Sequence, residues 1–106
     1  SKNPISIKFM EAALRYDAGD SKTANQIWKT EIPNLQKLTE DDFESMTETD
    51  LIALKYGVML SAAKLTQISA SNSMACQMLN SVKKTFEFDR TFSAFMKTKY
   101  NNCVEE

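Results

Sequence analysis

At 106 residues, 42 % apolar and 9 % aromatic, the chain has the length of one domain and enough apolar side chains to build a core. Thirteen basic against fourteen acidic side chains leave a net charge of −1, which excludes a strong overall pull toward nucleic acid or an anionic membrane. Histidine is absent, which excludes Ser-His and Cys-His nucleophile pairs, imidazole metal ligands and imidazole proton shuttles.

Only two Gly and two Pro punctuate the chain, strict alternation of apolar and polar residues is nearly missing, and apolar residues recur every three or four positions. The expectation is an all-α protein: a compact bundle of four to five helices, with residues 48–69 as the central helix. One domain is expected over residues 1–100, with a frayed tail over 101–106.

The first helix is predicted to start at Pro4 with Asn3 as its cap, since proline lacks only an N–H that has no partner there anyway. Ile5, Phe9, Ala12, Ala13 and Tyr16 form its inner face. Gly19 is expected to end it in the left-handed conformation. Ser21 opens a second helix through Ala24, Ile27 and Trp28. Pro33 is expected to interrupt or kink it, with Leu35 and Leu38 continuing the apolar stripe.

The stretch TEDDFESMTETDL, residues 39–51, carries six carboxylates and no basic residue. Thr39 with Asp42, and Thr47 with Asp50, have the spacing of capping boxes, in which the Thr hydroxyl accepts from a first-turn N–H and the acid reaches back. Carboxylates in a first turn also meet the positive end of the helix dipole. Two consecutive helix starts therefore account for much of the cluster. The functional reading is a patch of Glu40, Asp41, Asp42, Glu44, Glu48 and Asp50 that docks a basic protein surface, because complementary charge steers association.

The next helix is the most apolar. Leu51, Leu54, Val58, Ala62 and Leu65 make one stripe, and Ile52, Tyr56, Met59, Leu60 and Ala63 broaden it beyond a single face. Apolar surface on more than one side of a helix invites a partner to bury part of it. Ala53, Gly57 and Ser61 form a ridge of small residues at four-residue spacing. Gly57 costs about 1 kcal/mol relative to Ala in a helix interior, so a close packing neighbour is expected there.

After the polar break at 69–73, a fourth major helix carries Met74, Ala75, Met78, Leu79, Val82 and Phe86 inward. Asp89 is the expected cap of a last helix with Phe92, Phe95, Met96 and Tyr100. A single helix over 72–100 is the alternative; the shift of apolar face between Phe86 and Phe88 favours the break. Lys83, Lys84, Arg90, Lys97 and Lys99 interleave with aromatics here. That pattern admits nucleic-acid binding by stacking, against the simpler reading of an amphipathic helix with its lysines in water.

Cys76 and Cys103 are too few for a disulfide framework and are read as thiols of a reducing compartment. No segment has the length and apolarity of a membrane span, and no cationic-then-apolar leader opens the sequence. The expected location is the cytoplasm, or host cytoplasm for a viral protein. There is no CxxC, no P-loop and no GxGxxG, and neither cofactor nor metal is expected. The function expected is non-enzymatic protein binding, as an adaptor, regulator or inhibitor, with self-association into a homo-oligomer open. The competing function is nucleic-acid binding through residues 83–100.

Overall fold

In the computed structural model, which describes residues 4–68, 72–101 and 103, helix α1 runs over Ile5–Asp17 and α2 over Ser21–Gln36. A short α3 (Glu40–Glu44) leads into α4 (Glu48–Leu65), followed by α5 (Asn72–Val82) and α6 (Arg90–Lys99). Among the described residues there is no strand. The radius of gyration, 12.7 Å, is that of a compactly folded chain of this length.

Local chemistry sets the boundaries. Gly19 adopts φ +89°, the left-handed turn that lets α1 stop and α2 start two residues later. Asp20 caps α2 by accepting from the Thr23 N–H at 3.1 Å. Asp89 caps α6 by accepting from the Phe92 N–H at 2.9 Å, so residues 72–100 form two helices. The cap proposed at Asn3 lies outside the described residues, as does residue 69 at the expected end of the central helix.

Pro33 corrects the expectation of an interruption. It sits inside α2, which continues to Gln36. Proline removes one backbone hydrogen bond, but Ile32 and Leu35 on either side are buried in the core. Tertiary packing holds the last turn where intrinsic preference alone would end it.

α4 is the central element, packing against α1, α5 and α6. α1 and α4 run in the same direction: Ser6 meets Asp50, the Phe9 carbonyl meets Ser61, and Asp17 meets Lys64. The contact is close because the small-residue ridge lies in it. A Cβ on Gly57 would stand 2.6 Å from the Met10 backbone nitrogen and 3.1 Å from the Phe9 carbonyl carbon. Ser61 Oγ donates to the Phe9 carbonyl at 2.9 Å, which α1 can offer only at this separation. Behind that seam, Trp28 of α2 is fully buried beside Tyr16, with ring centroids 5.9 Å apart. Leu54, Val58, Ala62 and Leu65 of α4 join Ala75, Met78, Leu79 and Val82 of α5 in the same core.

The second correction concerns the cysteines. Cys76 and Cys103 are joined in a disulfide, with Cα atoms 5.0 Å apart, so neither is a free thiol. Cys103 is 4 % exposed, and Asn80 Nδ2 donates to its carbonyl at 2.8 Å. The bond closes a 27-residue separation that contains all of α6 and ties the chain beyond it to α5.

Candidate functional site

The acidic stretch resolves into two kinds of carboxylate. Asp42 accepts from the Thr39 N–H at 2.8 Å while Thr39 Oγ1 accepts from the Asp42 N–H at 3.2 Å. Asp50 and Thr47 repeat the arrangement at 3.2 and 3.0 Å. Both boxes read from the sequence are therefore formed. Asp50 is also 1 % exposed and accepts from the Ser6 hydroxyl of α1 at 3.2 Å, so it belongs to the α1–α4 seam and not to a surface patch. Glu40, Asp41, Glu44 and Glu48 remain exposed. Glu40 and Glu44 line an open groove of about 430 Å³ with Phe43, Leu51, Lys84 and Glu87. Lys84 approaches Glu40 across it at 3.8 Å, an exposed pair that contributes little to stability.

The basic segment is split as well. Lys83, Lys84, Arg90, Lys97 and Lys99 are exposed, and Lys83, Lys84 and Lys97 line a groove floored by Phe92 and Met96. Phe86, Phe92 and Tyr100 are buried, so the aromatics interleaved with the bases form core. Phe88 stands apart at 91 % exposure. The neighbouring Asp89 accepts from Lys55 Nζ at 2.8 Å. That hydrogen bond first, and then the one from the Phe92 N–H, hold the Asp89 carboxyl below the ordinary aspartate range, while desolvation acts in the opposite direction.

A third surface was only half visible in the sequence. Among the described residues the large apolar side chains left open to water are Ile7, Leu14, Ile52, Tyr56, Leu60 and Phe88. The first five share one face. On α1, Ile7, Met10 and Leu14 fall on the outward side and line a shallow apolar groove with Ala53 of α4. On α4, Ile52, Ala53, Tyr56 and Leu60 lie within one third of the helix circumference. The groove at Ala53 makes the two stripes continuous. Ile52 and Phe88 both line a separate open groove, with Glu48, Lys55 and Asp89. The breadth of the α4 pattern announced its share of this face. Ile7 and Leu14 were missed because a one-sided helix pattern assigns no role to apolar residues off the inner stripe.

Chemically the face offers apolar area with a mixed-charge rim: Lys8 with Glu11 at 3.7 Å, Arg15, and Lys64 with Asp17 at 2.6 Å. No cluster of three or more metal-ligating side chains occurs among the described residues. No described helix is long and apolar enough to cross a membrane. Comparison with family models, with curated proteins and with solved structures finds no match to this chain.

Proposed function

We propose that this all-α domain is a non-enzymatic protein-binding module, and that the α1–α4 face is its docking surface. The observation that carries the reading is the gathering of Ile7, Leu14, Ile52, Tyr56 and Leu60 on one continuous face. They leave on the order of 500 Å² of apolar surface in water, the size of the largest patch on a typical monomer, and patches of that size are often functional. Scattered exposed apolar residues need no explanation; five converging from two helices do. Tyr56, a rigid amphipathic side chain at the middle of the α4 stripe, has the character of an interface anchor.

The acidic segment then acts as a second, electrostatic element. Glu40, Asp41, Glu44 and Glu48 are free of the capping bonds that occupy Asp42 and Asp50, and they suit steering of a basic partner more than its tight binding. The roles of adaptor, regulator or inhibitor share this requirement of a passive docking face. The buried Cys76–Cys103 bond supports work in an oxidising compartment in place of the cytoplasm expected from the sequence. Nucleic-acid binding keeps one supporting feature, the groove bordered by Lys83, Lys84 and Lys97. It requires affinity that falls steeply with salt and depends on those lysines.

The test is affinity capture with the native chain beside a Tyr56→Glu, Leu60→Glu variant and a variant with Glu40, Asp41 and Glu44 changed to amides. A protein held by the native chain and lost by the first variant supports the apolar face. Equal capture by native and first variant removes that face, and loss only in the amide variant moves the docking surface to the acidic segment.

A further inference from the structure

Another surface lies at the start of α4, on the side turned away from α1. Glu48, Leu51, Ile52 and Lys55 fall within about 100° of the helix circumference, and Gly57, which faces α1, lies on the far side. Two open grooves of about 430 and 530 Å³ occupy this side, and Leu51 and Thr85 line both. Partly buried Phe43 and Leu51 supply apolar surface to the first; Ile52, 48 % exposed, and Phe88, 91 % exposed, supply it to the second. The exposure of Phe88 does not come from a slack chain. Phe86 is buried, with its ring centroid 5.5 Å from that of Phe92, and Asp89 caps α6 and accepts from Lys55. A phenyl ring held in water on an anchored turn contributes nothing to the core.

The charges lining the two grooves do not balance. Lys84 faces Glu40 at 3.8 Å and Lys55 faces Asp89 at 2.8 Å. Glu44, Glu48 and Glu87 line the grooves as well, and none of them makes an ion pair among the described residues. Helix starts do not account for two of the three: Glu44 is the last residue of α3, and Glu87 lies in the connection before α6. We propose that the two grooves dock a basic segment of a partner protein, with arginine side chains against Phe88 and the three unpaired carboxylates and an apolar side chain over Phe43 and Leu51. This rests on the reading of the acidic segment as the element that meets a basic partner, and it adds Glu87, Phe88 and the chemistry of the segment that binds.

Arginine answers both features at once. Its planar guanidinium stacks on an aromatic face and donates two parallel N–H bonds to a carboxylate. A lysine ammonium meets the charge but does not stack flat on the ring. A purely apolar segment would cover Phe88 while taking carboxylates out of water without partners, which opposes binding. An acidic segment, a phosphate backbone or an anionic membrane would meet three uncompensated negative charges. Lys55 and Lys84 do not reverse this, because each already faces a carboxylate of its own. The grooves are open, which suits a chain laid along the surface more than an enclosed small molecule.

Fluorescence anisotropy of a labelled peptide of alternating Arg and Leu, titrated with the native, oxidised chain, tests this. Saturable binding that weakens as salt rises is expected. Phe88→Ala is expected to weaken it roughly 10-fold. The triple variant Glu44→Gln, Glu48→Gln, Glu87→Gln is expected to weaken it at least roughly 10-fold and to remove most of its salt dependence. All four side chains are exposed, so both variants are expected to keep the native helical spectrum. The same peptide with Lys in place of Arg is expected to bind about threefold or more weakly. Lys29→Glu, which adds negative charge on the exposed side of α2, is expected to change affinity by less than about twofold. Absence of saturable binding overturns the proposal, as does binding indifferent to Phe88→Ala or to the triple variant. A Lys29→Glu chain that binds markedly more tightly also overturns it, since general charge attraction then suffices, and equal binding of the lysine peptide overturns the assignment to arginine. Failure here alongside Tyr56-dependent capture of a protein overturns the grooves and leaves the α1–α4 docking face standing; failure of both removes the protein-binding reading.

Discussion

Gly57→Ala is expected to destabilise the protein, although the same exchange in an exposed helix stabilises it. Alanine is the better helix former by up to about 1 kcal/mol. Against that, its Cβ would stand 2.6 Å from the Met10 nitrogen and 3.1 Å from the Phe9 carbonyl carbon and Cβ. Two of these three atoms are backbone, so relief requires α1 to move away from α4. Overpacking of this kind costs about 1–3 kcal/mol. The displacement also stretches the buried bond from Ser61 Oγ to the Phe9 carbonyl, worth about 1 kcal/mol. The net loss is therefore about 1–3 kcal/mol, or roughly 5–15 °C in Tm for a domain of this size. Thermal unfolding followed by circular dichroism reads it directly. Gly19→Ala is the control: nothing lies within 4 Å of its Cβ, so its cost of about 1–2 kcal/mol comes from the left-handed backbone alone. A Gly57→Ala protein as stable as the native one, or more so, would refute the close α1–α4 seam.

Other outcomes follow from the same structure. Asp42→Ala and Asp50→Ala break identical local motifs, yet the first is expected to cost about 1 kcal/mol and the second about 3, because buried Asp50 also accepts from Ser6; equal losses in urea titrations would contradict that assignment. Replacing Cys76 and Cys103 together by Ser is expected to cost about 3.5 kcal/mol from the entropy of a 27-residue loop, and hydrogen exchange should quicken first in α6. Asp89 titrates lower when folded, chiefly because Lys55 donates to it. Its contribution is thus present above the unfolded aspartate value of about 3.9 and is lost as pH falls through the folded one. The Tm gap between native and Asp89→Asn proteins should narrow as pH drops from about 5 to 2, and a gap constant over that range would refute the coupling.

The caps and the seam were legible because their chemistry is local. Thr39-Asp42 and Thr47-Asp50 announce helix starts at fixed spacing, and both boxes form as expected. Gly57 in an otherwise apolar helix pointed to a close neighbour, and α1 is that neighbour. The break before α6 followed from the shift of face at Phe88 and the cap at Asp89. What failed depended on distant contacts. Pro33 was read by its intrinsic preference, which the burial of Ile32 and Leu35 overrides. The pairing of Cys76 with Cys103 depends on how the chain beyond α6 returns to α5, and nothing local to either cysteine announces it. The sequence placed Asp42 and Asp50 in capping boxes and also offered all six carboxylates as one docking patch. Folding buries Asp50, assigns Asp42 to its cap and leaves Glu40, Asp41, Glu44 and Glu48 on the surface. Ile7 and Leu14 gained meaning only when α1 was laid beside α4.

The docking role of the α1–α4 face is tested most directly by a photoreactive side chain at position 56, compared with the same group at position 29, in an extract of the native source. The account predicts protein adducts, to this chain or another, from position 56 and none above background from position 29. Adducts from both positions alike, or from neither, would contradict it.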